Sequence, residues 1–188
     1  MGDVESCESV CDTAAMNQPA ATVQKKICMI GAFAVGKTSL VARFVHSMFS
    51  EKYQTTVGVK IDKKAVNVDG QEVNLILWDL AGEDEFQEVR MSYLRGASGY
   101  LLVVDGTRPE TYGTALELHK KAVGVAGKIP CLVLLNKSDL VEQWQILDSA
   151  LDALAEYGLR YLKTSAKTKA GVEDAFHLLA RDIVAKQL

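Results

Sequence analysis

The chain has 188 residues, 48% of them hydrophobic, enough for one ordinary domain whose core needs no disulfide or structural metal. A formal net charge of −3, with Lys and Arg spread along the chain, excludes a general affinity for nucleic acid and a polybasic membrane patch. No apolar run reaches the length of a membrane span, and the acidic N-terminus lacks the basic region of a signal peptide.

Residues 1–24 are acidic and rich in small polar side chains, and they read as a flexible tail ahead of a single domain, 25–188. Gly2 and Ser6 match the N-myristoylation pattern, but the surrounding acids would be repelled by anionic lipid. Cys7 and Cys11 have no partner pair at zinc spacing, whereas Cys28 and Cys131 sit inside apolar runs. That usage predicts a reducing, cytoplasmic compartment.

From residue 25 the pattern alternates. Ile27–Ile30 is an apolar run ending at a glycine, as a buried strand would. Leu40, Val41, Phe44, Val45 and Met48 have helical spacing over 38–48. Residues 57–68 and 73–80 are β-rich and flank Asp69-Gly70, which predicts an antiparallel hairpin. The rhythm then becomes strand 100–104, helix 110–123, strand 131–135, helix 143–157, strand 160–164 and helix 172–186. Such alternation predicts right-handed βαβ units, a mainly parallel sheet, and ligand-binding residues just after each strand.

Gly31-Ala-Phe-Ala-Val-Gly36-Lys37-Thr38 follows the first strand and opens a helix, the context a phosphate loop requires. The backbone from Ala34 and Val35 through Gly36 to Ser39 can aim N–H groups and a helix N-terminus at phosphate oxygens. Lys37 supplies an ammonium to the β- and γ-phosphates, and the Thr38 hydroxyl can ligate Mg²⁺. Asp79, at the end of a strand, suits a carboxylate that holds Mg²⁺ through a water. Gly82, without a side chain, can close its N–H on the γ-phosphate.

The base is chosen elsewhere. Asn136-Lys137-Ser-Asp139 directly follows the strand 131–135. The Asp139 carboxylate can accept from both the ring N–H and the exocyclic amine of guanine, a donor pair adenine lacks. Asn136 can bond the purine N7 and brace neighbouring loops. After the last strand, Ser165 and Ala166 are small enough for backbone N–H groups to approach the guanine oxygen, and Lys167 can lie over the ring. An ATP-dependent kinase is opposed by Asp139 and by the lack of a lid-like insert.

Together these segments resemble the Ras superfamily of small GTPases, and within it the Rab branch, over residues 25–188. The resemblance implies a three-layer α/β P-loop GTPase fold with a six-stranded mixed sheet and five helices. It implies that Thr56, in Tyr53-Gln-Thr-Thr56-Val-Gly58, ligates Mg²⁺ and bonds the γ-phosphate. Tyr53 would close over the phosphates, and Phe49 would pack against guanine. It further implies a GTP/GDP switch with effector proteins, an exchange factor and a GTPase-activating protein. Trp78 and Phe86 suit either an effector surface or packing between strand and helix.

Three features depart from that pattern. Phe33 stands where Ras has glycine and would crowd the γ-phosphate. Glu83 stands where the family has the glutamine that orients the attacking water; an ionised Glu only accepts hydrogen bonds. The C-terminal residues Ala185-Lys-Gln-Leu188 carry no cysteine for prenylation, so ordinary Rab membrane cycling is not expected. The catalytic set is thus Lys37, Thr56, Gly82 and Glu83, with slow hydrolysis. The competing reading is a GTP-holding pseudo-GTPase scaffold. A monomer is expected, cytoplasmic, with peripheral membrane association left open.

Overall fold

A computed structural model describes residues 23–50, 56–82 and 91–186. Six strands form one sheet in the order β2-β3-β1-β4-β5-β6. They are β1 (Val23–Gly31), β2 (Val59–Val68), β3 (Gln71–Leu80), β4 (Gly99–Asp105), β5 (Cys131–Asn136) and β6 (Arg160–Lys163). The helices are α1 (Lys37–His46), α2 (Glu110–Ala126), α3 (Asp148–Glu156) and α4 (Val172–Ala185). The sheet is the mixed six-stranded α/β sheet expected. Among the described residues the helices are these four, with 3-10 turns at Met91–Leu94 and Val141–Gln143.

The hairpin falls where Asp-Gly placed it. Asp69 and Gly70 both have positive φ, 49° and 88°, the signature of a type I′ turn. Asn67 Oδ1 accepts from the Gly70 N–H at 3.0 Å. β2 and β3 pair antiparallel over ten residues, from Val59 opposite Leu80 to Val68 opposite Gln71. The remaining strand pairs are parallel, each reached through a crossover.

Alternate side chains of the central strands feed two separate cores. Ile27, Met29, Leu101, Val103, Leu132 and Leu134 face α1 and α4, where the Phe44 and Phe176 rings stack with centroids 3.9 Å apart. Cys28, Ile30, Leu102, Val104, Val133 and Leu135 face α2 and α3. A sheet covered on both faces leaves its carboxyl edge as the place where loops converge.

One element differs from expectation. The helix expected over 143–157 begins only at Asp148. Trp144 is extended, with ψ 125°, and its ring lies so close to Gly106 that a Cβ there would meet it at 2.1 Å. The Gln145 N–H donates to the Gly106 carbonyl at 2.8 Å. That tertiary contact holds the segment out of helical geometry despite its apolar spacing. No described helix is long and apolar enough to cross a membrane.

Candidate functional site

The turn between β1 and α1 is shaped by two close approaches. Gly36 has φ 97°, and a Cβ there would stand 2.4 Å from Asn136 Nδ2. That nitrogen donates to the Val35 carbonyl at 2.9 Å, so the loop after β5 braces the loop after β1 directly. Asn136 Oδ1 in turn accepts from the Ala166 N–H at 3.3 Å and the Thr164 hydroxyl at 3.4 Å. One buried amide therefore joins three loops from the ends of β1, β5 and β6.

Lys37 opens α1 and is buried. Its Nζ donates to the carbonyls of Gly31 at 3.1 Å and Ala32 at 2.9 Å. Burial draws its pKa down to about 8; Asp79 opposes the shift and Arg108 adds to it. The ammonium is thus held over the loop with little solvation, so an approaching phosphate meets a poorly screened charge.

Next to it lies a hydroxyl–carboxylate cluster. The Thr38 hydroxyl donates to Asp79 Oδ2 at 2.5 Å and stands 2.7 Å from the Thr56 hydroxyl, which also reaches Asp79 Oδ2 at 3.4 Å. Asp79 is fully buried, and its Oδ1 has no hydrogen-bond partner. Desolvation pushes its carboxyl up, against the pull of Thr38 and Lys37. An orphaned buried carboxylate oxygen beside two hydroxyls is a donor set of hard oxygens that fits Mg²⁺.

In the loop after β5, Asp139 Oδ1 accepts from the Ser165 hydroxyl at 2.5 Å, and Ser165 Oγ accepts from the Thr168 N–H at 3.0 Å. Ser165 therefore stands behind Asp139 and fixes its rotamer. Lys137 has φ 65°, and its Nζ lies 2.6 Å from Asp105 Oδ2.

These groups surround one cavity of about 390 Å³, within the usual range for small-molecule sites. Ala34, Gly36, Lys37, Thr38 and Ser39 line one end of it, with Thr56 and Gly82. Phe49, Asn136, Lys137, Asp139, Ala166 and Lys167 line the other end. Val35 is in the core and offers its carbonyl to Asn136, while Ser165 and Asp79 are buried beneath the lining. Tyr53, Glu83 and Phe86 lie outside the described residues. Phe33 also lines the cavity. A Cβ on Gly82 would come within 2.6–2.7 Å of the Ala32 and Phe33 backbone, so only glycine fits there.

Three residues of the site escaped the sequence reading. Arg43 on α1 donates through Nε to the Ala166 carbonyl at 2.7 Å and through Nη2 to the Lys167 carbonyl at 2.9 Å. It orients the loop after β6, and no local signal marks it. Asp105 and Arg108 carry a faint one: an acid closing an otherwise apolar strand is buried and needs cationic partners. Trp78 is half-buried, with Lys26 Nζ 3.8 Å above its ring and the Tyr93 ring 5.9 Å away.

A phosphate-loop motif at the carboxyl edge of a three-layer α/β sheet, facing the loop 136–139 across one cavity, defines a P-loop nucleotide-binding protein. The Ras family model matches residues 26–185. Ras-related protein Ral-B of Mus musculus is 38% identical over 170 residues, covering 88% of this chain and 82% of its own. Ras-related protein Rab-13 of Mesocricetus auratus is 37% identical, covering 86% of this chain and 80% of its own. Ras-related protein Rab-8B of Homo sapiens is 34% identical, with 86% and 79% covered. The chain belongs to the Ras family: it is a GTP-binding small GTPase that resembles Ral and Rab proteins alike.

Proposed function

We propose that the chain is a guanine-nucleotide switch that binds GTP and GDP with Mg²⁺ and hydrolyses GTP slowly. The observation that carries this is the shared cavity, in which Lys37, the Thr38–Asp79–Thr56 cluster and Asp139 stand around one nucleotide-sized space. Lys37 places its charge on the β- and γ-phosphates, and the loop N–H groups surround them. Thr38 and Thr56 would hold Mg²⁺ directly and Asp79 through a water; when bound, the ion neutralises phosphate charge. Asp139, pinned by Ser165, accepts two hydrogen bonds from guanine.

Asp139→Asn tests the base assignment. An amide can donate where the carboxylate accepts, so GDP binding should weaken by about a hundredfold or more while xanthosine diphosphate, with a carbonyl in place of the amine, gains. Calorimetry with both diphosphates and with ATP reads the outcome. Wild-type protein that binds ATP as tightly as GTP would sink the proposal.

Phe33 and Glu83 set the rate. Phe33 lines the cavity together with Gly82, and in this reading its benzyl group crowds the γ-phosphate and any incoming arginine finger. An ionised Glu83 near the phosphates costs about 4 kcal/mol per charge pair at 4 Å with a surface-like dielectric. Substituting Phe33→Gly and Glu83→Gln together should raise single-turnover hydrolysis about tenfold or more. An unchanged rate would refute the mechanism. The second reading, a scaffold that stays GTP-bound, is favoured by the same two residues, Phe33 and Glu83. Nucleotide that co-purifies separates the two: GTP supports the scaffold and GDP the enzyme.

As a switch, the γ-phosphate would order residues 53–59 and 81–93 for effector proteins, with an exchange factor and a GTPase-activating protein setting the occupancy. Action as a cytoplasmic monomer belongs to the same reading.

A further inference from the structure

Asp105 closes β4 and is completely buried, yet four donors converge on it. Its Oδ1 accepts from the Thr107 N–H at 3.0 Å and the Thr107 hydroxyl at 2.7 Å. Its Oδ2 accepts from Arg108 Nε at 2.9 Å and pairs with Lys137 Nζ at 2.6 Å. Arg108 has a second arm. Its Nη2 donates to the Phe33 carbonyl at 2.7 Å.

A local explanation covers part of this. The bonds to Thr107 and the contact with Arg108 three residues on make an ordinary Asx-type turn ahead of α2. It does not explain a guanidinium that crosses to a residue 75 positions earlier in the chain. Nor does it explain a lysine arriving from the base loop. Guanidinium suits the task because its fixed fork reaches two acceptors at once, which an ammonium on a flexible stem does poorly. The side chain of Arg108 is 37% exposed, so its role is not to fill the core. Its contact with the Phe33 carbonyl places it beside the loop between β1 and α1, and Phe33 itself lines the cavity.

We propose that Arg108 is a positioning residue for nucleotide retention: through Asp105 it ties the Phe33 carbonyl of the phosphate loop to Lys137 of the base loop. Phosphates and base are then gripped by one connected unit, and loosening the link loosens both ends. This rests on the guanine-nucleotide reading above.

The test loads the full chain with N-methylanthraniloyl-GDP and follows its release on adding excess GDP. Wild type is compared with Arg108→Ala, Arg108→Lys, Asp105→Asn and the double variant Arg108→Ala with Asp105→Asn. Arg108→Ala should release nucleotide about tenfold faster, the scale of a modest coupling. Its melting temperature in saturating GDP should stay within a few degrees of wild type. Arg108→Lys should remain fast, since one ammonium cannot serve both acceptors. The double variant should release no faster than the faster single variant, because both changes cut one link. Should Asp105→Asn fail to fold, Lys137→Ala takes its place in the cycle.

Release from Arg108→Ala within twofold of wild type would overturn the inference. So would full rescue by lysine, or rates that multiply in the double variant. In those cases GDP binding by wild type still stands. A wild-type chain that takes up no GDP overturns the nucleotide reading and this inference together.

Discussion

Gly36 has no room for a methyl group. Its φ of 97° suits glycine, and the Cβ of any other residue would press to 2.4 Å on the amide that braces Val35. Gly36→Ala should therefore strain the turn and push Asn136 out of its three-loop network. The expected cost is about 1–3 kcal/mol in urea unfolding, together with loss of GDP retention. Wild-type stability with retained GDP would contradict the account. Asp79 makes a complementary case, because its buried Oδ1 lacks a partner. An acceptor left bare in the interior costs about 1–3 kcal/mol unless something fills the gap. Adding Mg²⁺ should slow GDP release from wild type, and Asp79→Ala should abolish that dependence. A wild-type release rate indifferent to Mg²⁺ would remove the case for the metal.

At the level of elements, the segment between β5 and α3 shows how a distant contact overrides a local pattern. Apolar spacing over 143–157 reads as one helix, but Trp144 is claimed by Gly106 at the end of β4. The Gly106 N–H also donates to the Asn136 carbonyl at 2.9 Å, so this contact sits beside the base loop. Gly106→Ala should drive a methyl into the indole and destabilise the fold by about 1–3 kcal/mol, with a changed Trp emission spectrum. An unaltered denaturation midpoint would show that the indole moves aside freely. By contrast, the β2–β3 hairpin was legible from Asp69-Gly70 alone, because a type I′ turn is specified by the two residues that form it.

The whole molecule depends on loops from β1, β3, β4, β5 and β6 meeting at one edge of the sheet, and its acid stability should reflect that meeting. Burial alone would raise the Asp105 carboxyl, but hydrogen bonds from Lys137, Thr107 and Arg108 outweigh it and hold it below the usual range. A carboxyl lowered on folding adds stability that is present above its unfolded value of about 3.9 and lost as pH falls through its native value. Asp105→Asn should accordingly flatten the fall in melting temperature on acidification below about pH 5. An equally steep fall in the variant would assign acid sensitivity to other groups. Sequence by itself determined the order of elements, the hairpin and the phosphate-loop motif, and it singled out Asp139, which the structure places in the cavity lining. Each of these is written in contiguous residues whose spacing carries the chemistry. It left Arg43, Asp105 and Arg108 out of the site. Arg43 acts on a carbonyl 123 positions away, and Arg108 on one 75 positions away. Only the strand order brings such partners within hydrogen-bond reach, since a bond between distant segments exists once the chain has packed and leaves no periodic trace before it.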